Sequence, residues 1–368
     1  MRKSTVAIIC GGKSGEHEVS LRSAFSVYNN INRKKYQPVI LAIDKKGRWF
    51  FGRRFNNVVD SRGLLWKMKP RLEEIVLLKS KNYSQVFSLK KKKILVKVDV
   101  FFPLIHGTYG EDGCLQGFLE LLDVPYVGAD VIGSAIGMNK EVTKKLLKIE
   151  KIPVTQFTII RKSDCLKEKK QKIEMAIKQF HFPLFIKPVS LGSSVGVSKV
   201  FKREEIKKAV ADAFQYDKEI MIEKFVSGRE IECSVLGNYN PKASLPGEIR
   251  STSFYSYQAK YLDPEQKYAK LLAPAPLNKK LVLKIQELSI RVFKALGLRG
   301  MARIDFFLKS NGEIVVNEAN TIPGFTQISM YPKLWEISGL KYPQLLDKLI
   351  ELAIESHQEK RQIRFSYN

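Results

Sequence analysis

The stretch Arg303-Ile-Asp-Phe-Phe-Leu-Lys-Ser-Asn-Gly-Glu-Ile-Val-Val-Asn-Glu-Ala-Asn320 predicts a β-hairpin. Two runs rich in β-branched and aromatic residues flank Asn311-Gly312, and Asn-Gly is the dipeptide most typical of a two-residue hairpin turn. If these two residues form that turn, Ser310 pairs with Glu313. Every pair of facing residues further out is then fixed by counting away from the turn.

This register places two acids side by side. Asp305 lies opposite Glu318 and Arg303 lies opposite Asn320, and all four side chains share one face because side chains alternate along a strand. Facing carboxylates repel each other, and a cation between them removes that cost. Oxygen ligands from Asp, Glu and Asn suit Mg²⁺ or Mn²⁺, and an arginine beside them can hold an anion. The hairpin therefore indicates a metal–phosphate site rather than a solvated polar face.

Composition limits the remaining possibilities. The 368 residues suffice for two or three domains, and no run approaches the roughly 20 apolar residues of a membrane span. The first ten residues lack the pattern of a signal peptide, so a cytoplasmic protein with reduced, scattered cysteines is expected. The net charge of +26 raises the question of nucleic acid. Because no helix-turn-helix, zinc finger or aromatic-interleaved RNA motif is present, we expect no nucleic-acid partner. The lack of a long apolar run leads us to expect no membrane partner.

Alternating patterns along the chain predict three parts. From Val6 to Val127 buried strand runs alternate with helical segments, which is typical of a parallel sheet with βαβ crossovers. The segment 50–93 is poorly patterned and could hold a hairpin or a variable insertion. Short strands around a lysine-rich helix at 166–180 indicate a small α+β unit, and strands dominate again from Ile220. We divide the chain into residues 1–125, 126–218 and 219–368.

A glycine–serine loop joins two strands of the second part, within Pro183-Leu-Phe-Ile-Lys-Pro-Val-Ser-Leu-Gly-Ser-Ser-Val-Gly-Val197. Backbone N–H groups in such loops cradle phosphates, and the hydroxyls of Ser193 and Ser194 add donors. The loop is not a Walker A motif, since no Gly-Lys-Ser/Thr follows. Alone, it fits a phosphate-covering flap and an ordinary turn about equally. Lys187 in the apolar strand favours the flap, because an unpaired lysine there is costly and an anion would be its partner.

The strand end after Ile220 carries a candidate adenine site. Glu223 could accept a hydrogen bond from the adenine amino group, and the backbone of the next three residues could line the ring. An exposed charged turn explains the same residues when they are considered alone. The three backbone positions are Lys224, Phe225 and Val226.

Two polar loops follow strands of the first part, where open α/β sheets bind their ligands. The loop 11–20 contains Glu16, which is suited to bind a substrate ammonium group. The loop 106–113 carries four polar residues among three glycines, and His106 is its functional candidate. The hairpin itself continues into a third loop, in which the Gly324 N–H could donate to an oxyanion and Ser329 could hold a carboxylate.

Together these motifs resemble ATP-grasp enzymes and, within them, the D-alanine–D-alanine ligases. The resemblance covers most of the chain and rests on six motifs in order. They are Gly-Gly-Lys-Ser-Gly-Glu-His-Glu-Val-Ser from 11, His-Gly-Thr-Tyr-Gly-Glu-Asp-Gly from 106, Gly-Ser-Ser-Val-Gly-Val from 192, Tyr-Ser-Tyr-Gln-Ala-Lys-Tyr from 255, Arg-Ile-Asp from 303 and Asn-Glu-Ala-Asn-Thr-Ile-Pro-Gly-Phe-Thr from 317.

The resemblance implies an ATP-grasp fold, with an N-terminal parallel α/β domain and two α+β domains that clasp ATP. It implies that ATP phosphorylates one D-alanine to an acyl phosphate and that the amine of a second D-alanine attacks it. The product, D-alanyl-D-alanine, enters peptidoglycan synthesis. A homodimer with two Mg²⁺ or Mn²⁺ ions is also implied.

The resemblance assigns roles residue by residue. Asp305, Glu318 and Asn320 hold the metal ions. Lys140 and Lys187 contact the phosphates beneath the flap that contains Ser194, and Glu223 to Val226 with Glu230 hold adenine and ribose. Glu16, Ser193 and Tyr261 form a network around the first D-alanine, Arg303 and Gly324 stabilise the oxyanion, and Ser329 with Met330 holds the second D-alanine. His106 and Lys260 complete the substrate-binding set.

The alternatives differ in which residues they require. Biotin carboxylase-like or glutathione synthetase-like catalysis would keep the hairpin and the flap but would not need Glu16 or Tyr261. Ligases that make D-Ala-D-lactate or D-Ala-D-Ser differ in the loop around Lys260, so they rank second. Asn139 replaces the aspartate usual in the family but leaves Lys140 in place. A basic nucleic-acid-binding protein would not be expected to place two acids face to face.

Overall fold

A computed structural model describes residues 2–55, 73–192, 195–251 and 269–364 of the chain. Within these residues the strands form three sheets, and helices pack against each of them. No helix in these four ranges has both the length and the apolar character needed to cross a bilayer.

The first sheet has the strand order β6-β5-β4-β3-β2-β1-β7. β1 is parallel to β2 and to β7, as predicted, while the poorly patterned segment adds antiparallel strands beyond β2. These strands are β1 (Ser4–Gly11), β2 (Tyr36–Ile43), β3 (Trp49–Gly52), β4 (Glu73–Lys79), β5 (Ser84–Ser88), β6 (Lys93–Val98) and β7 (Val100–Pro103). Two helices belong to this part, α1 (His17–Asn30) between β1 and β2 and α2 (Cys114–Leu122) after β7, and α3 (Val131–Met138) begins the second part.

The second sheet is antiparallel, in the order β10-β9-β11-β8. Its strands are β8 (Phe157–Arg161), β9 (Leu184–Pro188), β10 (Ser198–Val200) and β11 (Glu219–Lys224). Helices α5 (Leu166–Phe180) and α6 (Arg203–Ala213) pack on this sheet, and α5 has the bounds predicted for it. Helix α4 (Lys140–Ile149) precedes them and buries Leu147 in the core of the third sheet. Since β11 pairs inside this sheet, we move the proposed boundary between the second and third parts from residue 218 to the end of β11.

The third sheet is the one that carries the hairpin. Its order is β15-β14-β12-β16-β17, and β13 pairs with β12 at one end. The strands are β12 (Arg229–Gly237), β13 (Lys242–Ala243), β14 (Gly247–Ser251), β15 (Ala269–Leu272), β16 (Gly300–Leu308) and β17 (Ile314–Asn320). The helices are α7 (Lys279–Ala295), α8 (Met330–Ile337) and α9 (Tyr342–Lys360).

The C-terminal segment is packed into the core of the N-terminal part. Phe325, Tyr331 and Leu346 are fully buried in the same cluster as residues of β1 and α1. Tyr331 also donates a hydrogen bond of 3.0 Å from its hydroxyl to the carbonyl of Val235 on β12. Burying one such large side chain contributes roughly 1.5–3 kcal/mol, so this packing fixes the first and third sheets relative to each other.

The hairpin register was predicted correctly at its far end and wrongly at its turn. Arg303 pairs with Asn320, but near the turn Leu308 pairs with Ile314, one residue away from the predicted alignment. The loop has three residues rather than two, because Lys309 pairs with Glu313 through backbone hydrogen bonding. A bulge between the two halves of the ladder restores the predicted register, so the two one-residue offsets cancel.

Candidate functional site

Three carboxylates lie in a row across the third sheet. Asp305 on β16 faces Glu318 on β17, as predicted, and it faces Glu232 on β12 on its other side. Glu232 is buried, with 5% of its surface exposed. Sequence reasoning missed Glu232, because its place in the row depends on the long-range pairing of β12 with β16.

Arg303 offsets part of this negative charge. Its Nε lies 2.8 Å from Asp305 Oδ1 and its Nη2 lies 2.7 Å from Asp305 Oδ2. The same Nε lies 3.2 Å from Glu232 Oε2, and Asn320 Nδ2 donates to Asp305 Oδ2 at 2.9 Å. Arg303 therefore serves as the counterion of two acids in this arrangement, and it is held rigidly beside the predicted metal ligands.

The predicted metal ligands fit Mg²⁺ or Mn²⁺ in their chemistry. Asp305, Glu318 and Asn320 offer carboxylate and amide oxygens, which hard divalent cations prefer. Across the part of the chain that the structure describes, no group of three or more His, Cys, Asp or Glu side chains is arranged to hold a metal ion. Arg303 and Asn320 both donate to Asp305 Oδ2, whereas Oδ1 accepts from Arg303 Nε and keeps a second lone pair that could bind a cation.

A buried ionic cluster lies beside this row of acids. Glu223 at the end of β11 is bonded by Lys144 Nζ at 2.8 Å and by Lys187 Nζ at 2.5 Å, and the hydroxyl of Thr155 donates to it. Burial alone would raise the pKa of Glu223, but the two ammonium groups outweigh it and lower that pKa to about 2. Glu223 is therefore a fixed anion. Because this carboxylate is the anion beside Lys187, the position of Lys187 in an apolar strand no longer favours a phosphate-covering flap, and its contact with ATP phosphates stays a prediction.

Lys144 is the second residue that sequence reasoning missed. Only 1% of its side chain is exposed, and its Nζ also donates to Thr155 Oγ1 at 2.7 Å and to the Asn317 carbonyl at 3.2 Å. Burial lowers the pKa of Lys144. A signal was present, because Lys144 lies one helical turn after Lys140 and both residues therefore share one face of α4.

Lys140 begins α4 directly behind its N-cap. The cap is Asn139, whose Oδ1 accepts from the Val142 N–H at 3.0 Å, so asparagine replaces the usual aspartate without loss of the cap. Lys140 Nζ donates to the carbonyl of Leu191, which precedes the glycine–serine loop. Burial lowers the pKa of Lys140 to about 8, although the nearby carboxylate of Glu318 opposes that shift.

One cavity brings the predicted nucleotide-binding and metal-binding residues together. It has a volume of about 260 Å³ and lies between the second and third sheets. Phe185 and Phe225 contribute two aromatic rings to its wall, with centroids 6.1 Å apart. The predicted site residues that line it are Lys140, Lys187, Glu223, Lys224, Phe225, Val226, Glu230, Arg303, Asp305 and Glu318.

Glu16 lies where the glycine–serine loop and the loop after β7 approach each other. A Cβ atom placed on Gly107 would come within 2.8 Å of Glu16 Oε2, and one placed on Gly192 would come within 3.2 Å. Gly107 also has a φ of +73°, which L side chains rarely adopt. Glu16 is 7% exposed, so its carboxylate is held in a nearly closed space next to the residue that precedes Ser193.

His106 and Glu111 together hold the backbone of Ile322. His106 Nδ1 lies 2.9 Å from the Ile322 carbonyl, which can only accept, so Nδ1 carries the proton. Its Nε2 lies 3.1 Å from Ser23 Oγ, and that hydroxyl accepts from the Phe325 N–H at 3.2 Å. Glu111 accepts from the Ile322 N–H at 2.8 Å. His106 therefore orients the loop around Gly324.

Glu111 is the third residue that sequence reasoning left without a role. Besides Ile322 it accepts from the Gly107 N–H at 2.9 Å, so it joins two predicted substrate loops. Burial raises the pKa of Glu111 to about 7, and the charges of Glu16 and Glu318 act in the same direction. The motif that contains it was recognised, but nothing in the sequence indicated which of its polar residues reaches the hairpin.

Gly324 and Ser329 are neighbours, as predicted for a shared site. A Cβ atom on Gly324 would lie 2.7 Å from Ser329 Oγ, and Thr326 donates from its N–H to the same Oγ at 3.0 Å. Ser329 is the N-cap of α8, and its side chain makes no capping hydrogen bond to that helix. Met330 is the first residue of α8, and its ε-methyl carbon lies directly over Gly247 of β14.

Four predicted site residues lie outside the described residues. Two of them belong to the glycine–serine loop and two to the segment between β14 and β15. They are Ser193, Ser194, Lys260 and Tyr261, and their roles stay predictions.

Comparison with known proteins gives matches along nearly the whole chain. Residues 5–129 match the family model described as D-ala D-ala ligase N-terminus, and residues 146–351 match the one described as D-ala D-ala ligase C-terminus. A protein of Oceanobacillus iheyensis named D-alanine–D-alanine ligase is 44% identical over 366 residues, which are 99% of this chain and 99% of that protein.

Solved structures show the same similarity in three dimensions. The structure of the D-alanine-D-alanine ligase from Coxiella burnetii has a TM-score of 0.84 at 40% identity, covering 98% of this chain and 97% of its own. The structure of the VanG D-Ala:D-Ser ligase from Enterococcus faecalis has a TM-score of 0.81 at 34% identity, covering 96% of this chain and 100% of its own.

Proposed function

The chain belongs to the D-alanine–D-alanine ligase family, with the ATP-grasp fold of that family, and from this premise we propose how its residues divide the work. It is a ligase that uses ATP to join two D-alanines into D-alanyl-D-alanine for peptidoglycan precursor synthesis. The observation that carries the assignment of residues is a cavity lined by ten predicted site residues, with Glu16 beside Gly192 at its wall.

ATP is proposed to enter this cavity with its phosphates toward Lys140 and Lys187. If Lys187 turns from Glu223 to a phosphate, Glu223 keeps Lys144 as its counterion and gains a free acceptor oxygen. That oxygen is suited to the adenine amino group, with the backbone of 224–226 along the ring and Glu230 at the ribose. Ser194 would cover the phosphates from the flap.

Asp305, Glu318 and Asn320 are proposed to hold two Mg²⁺ or Mn²⁺ ions. When bound, such ions offset the negative charge that builds up as a phosphoryl group is transferred. The proposal is supported by the row of acids across the third sheet and by the contacts of Arg303, which already compensates the same charge.

The reaction is proposed to run in two steps. A carboxylate oxygen of the first D-alanine, held at its ammonium by Glu16, attacks the γ-phosphorus of ATP, and the bond to the ADP oxygen breaks. The neutral amine of the second D-alanine then attacks the carbonyl carbon of the acyl phosphate. Arg303 and the Gly324 N–H stabilise the oxyanion that forms, and the C–O bond to phosphate breaks as the amide is completed.

The second D-alanine is proposed to bind with its carboxylate at Ser329 and Met330. The proton that its amine must lose would pass to a phosphate oxygen or to a network of Glu16, Ser193 and Tyr261. His106 positions Gly324 through its contact with the Ile322 carbonyl. Lys260 is assigned to substrate binding because it lies in a family motif.

A D-Ala:D-Ser ligase is the second candidate, because one similar structure carries that name. We also propose a cytoplasmic homodimer, which family membership supports. The proposed domains are residues 1–125, 126–224 and 225–368.

The decisive experiment measures phosphate release from ATP and Mg²⁺ with D-alanine alone, and identifies the product by mass. L-alanine is the control substrate, and D-serine or D-lactate is added to D-alanine in parallel reactions. Release with D-alanine alone and a D-alanyl-D-alanine product are expected. A mixed product formed in preference to D-alanyl-D-alanine would favour the second candidate, and no release with any substrate would contradict both.

A further inference from the structure

The outer face of the β4–β6 meander presents a contiguous apolar surface. Val76, Phe87 and Ile94 lie side by side across the three strands, and Leu78 lies two residues beyond Val76 on the same face. Val76 is 38% exposed, Leu78 40% and Ile94 47%, and Leu89 in the following turn is 47% exposed. We call these five residues the meander patch.

The meander patch is separate from the core under the same strands. Ile75, Val86 and Val98 point to the opposite face and are buried against α2 and β1. Isolated exposed apolar residues are ordinary, whereas a contiguous apolar surface indicates an interaction site. β6 is also the edge strand of its sheet, so nothing in the described sheet continues beyond it.

The meander is rich in exposed lysines, of which Lys79 and Lys93 belong to the rows of the buried face and the others lie in the turns or on the patch face. Residues 73–98 contain seven lysines and two glutamates, a net charge of +5 in 26 residues, compared with +26 in 368 for the whole chain. One of the two acids, Glu73, pairs with Lys91 at 2.9 Å, and Lys79 lies 4.0 Å from Asp123 on a neighbouring loop. All seven lysines are exposed: Lys79, Lys81, Lys90, Lys91, Lys92, Lys93 and Lys97.

An exposed apolar patch together with exposed lysines favours one kind of partner. A second copy of the chain would bring two strongly positive surfaces together, which like-charge repulsion opposes. Single-stranded nucleic acid binds on aromatic platforms, and the only aromatic ring among the five patch residues is Phe87, which is partly buried. An anionic lipid surface fits both features, because its headgroups attract lysines while apolar side chains enter the interface.

We propose that the meander patch docks the protein on anionic lipid surfaces. This revises the expectation that the protein has no membrane partner, and it does not depend on the proposed assignment of catalytic residues. β6 runs through Asp99 into β7, and the Asp99 N–H donates to the Thr5 carbonyl at 3.0 Å, so the meander adjoins the first residues of β1, whereas the substrate loop follows the last residue of β1, Gly11. Docking through the patch therefore leaves the loop after β1 free to bind substrate.

The test is sedimentation of the full-length protein with vesicles of phosphatidylcholine alone or with phosphatidylglycerol added. Binding is expected only to the anionic vesicles, and it should weaken as salt screens the lysines. Each lysine near an anionic surface is worth roughly fivefold in partitioning. The variant K81Q/K90Q/K92Q/K97Q is therefore expected to bind at least tenfold more weakly, and V76T/I94T a few-fold more weakly.

A matched variant separates the patch from the overall charge. K167Q/K170Q/K178Q/K207Q removes the same number of exposed lysines from α5 and α6, and it should bind within twofold of the wild type. Ligase turnover of every variant reports that it is folded. Equal losses in the two lysine variants would overturn the proposal, as would absence of vesicle binding by the wild type. A patch-dependent change in molecular mass, or patch-dependent retention on RNA without vesicle binding, would also overturn it.

Discussion

Individual buried charges decide much of this site. Glu223 is ionised because two ammonium groups face it, and each of those lysines is tolerated in a buried position because Glu223 is there. A buried ion pair need not add net stability, but removing one partner leaves an uncompensated charge. Substitutions in this cluster therefore measure how far Glu223 and the two buried lysines offset each other's charge.

Replacing Lys144 with methionine is expected to destabilise the protein, but by less than the roughly 3–5 kcal/mol of a fully unpaired buried charge, because Glu223 loses one counterion and keeps Lys187. Thermal or denaturant unfolding measures the change. Lys145→Met is the control, since Lys145 is 61% exposed and its partner Glu141 keeps the ion pair with Arg161. The double variant K144M/E223Q should be no more stable than K144M, because the buried Lys187 then loses the carboxylate that compensates it. Equal stability of K144M and the wild type would contradict this account.

The lowered pKa of Lys140 predicts that kcat/KM for ATP depends on pH. Its pKa of about 8 lies below the ordinary value of 10.5, so the free enzyme loses this positive charge as the pH rises through 8. If Lys140 binds a phosphate as an ammonium group, kcat/KM for ATP falls above pH 8. Lys140→Arg keeps its charge and should remove that alkaline fall.

The same shift has the opposite consequence for stability. Between pH 8 and 10.5 the unfolded chain binds more protons at this position than the folded protein, so the contribution of Lys140 to the free energy of unfolding rises with pH. If kcat/KM of the Lys140→Arg variant still falls above pH 8 as in the wild type, a group other than Lys140 causes that fall.

At the scale of elements, the contact between β14 and α8 connects backbone geometry to the proposed acceptor site. A Cβ atom on Gly247 would lie 2.1 Å from the ε-methyl carbon of Met330 and 2.9 Å from Leu334 Cδ2. Both distances are shorter than a normal carbon–carbon contact, so an added Cβ would force α8 or its side chains to move. Gly247 therefore lets the first turn of α8 approach the strand, and Met330 is fixed by that approach.

Gly247→Ala is expected to raise the KM for the second D-alanine about tenfold while the KM for ATP stays within twofold, because only the first turn of α8 must move. Initial rates at varied D-alanine and ATP concentrations measure both values. G247A/M330A restores the missing space and should restore stability. Gly117→Ala is the control, as nothing lies within 4 Å of its added Cβ. If the KM for the second D-alanine is unchanged in G247A, the packing of Gly247 against Met330 does not affect binding of that substrate.

Across the whole molecule, loops from the first part position the loop that follows the hairpin. Both backbone polar groups of Ile322 are held by side chains of the loop 106–113, through His106 and Glu111. The packing of α9 and α8 against the first sheet supports the same arrangement. Gly324 therefore keeps its place relative to Arg303 only while the first and third sheets stay in contact.

Glu111→Gln is expected to lower kcat about ten- to hundredfold, because a small displacement of reacting groups is costly. Its carboxylate accepts from two N–H groups, whereas a glutamine side chain offers one oxygen. The raised pKa of Glu111 makes its contribution to stability fall as the pH rises from 4.5 to 7, and E111Q should lose that dependence. A kcat equal to the wild type would show that Glu111 does not position Gly324.

The sequence by itself determined the local features of this protein. Helix α5 follows from its own periodicity, and the family follows from six motifs whose residue types and spacing are visible along the chain. The facing of Asp305 and Glu318 was also predicted, although an offset at the turn and a bulge had to cancel for the counting to succeed. Such features depend on neighbours within a few residues or within one hairpin.

Only the tertiary structure decided which distant residues share the site. Glu232 joins the acids through the pairing of β12 with β16, and Lys144 faces Glu223 across a distance of 79 residues in sequence. Glu111 reaches Ile322 from another sheet. Each of these contacts depends on how separate elements pack together. The free energy of that packing is spread over many buried side chains, so no single stretch of sequence records it.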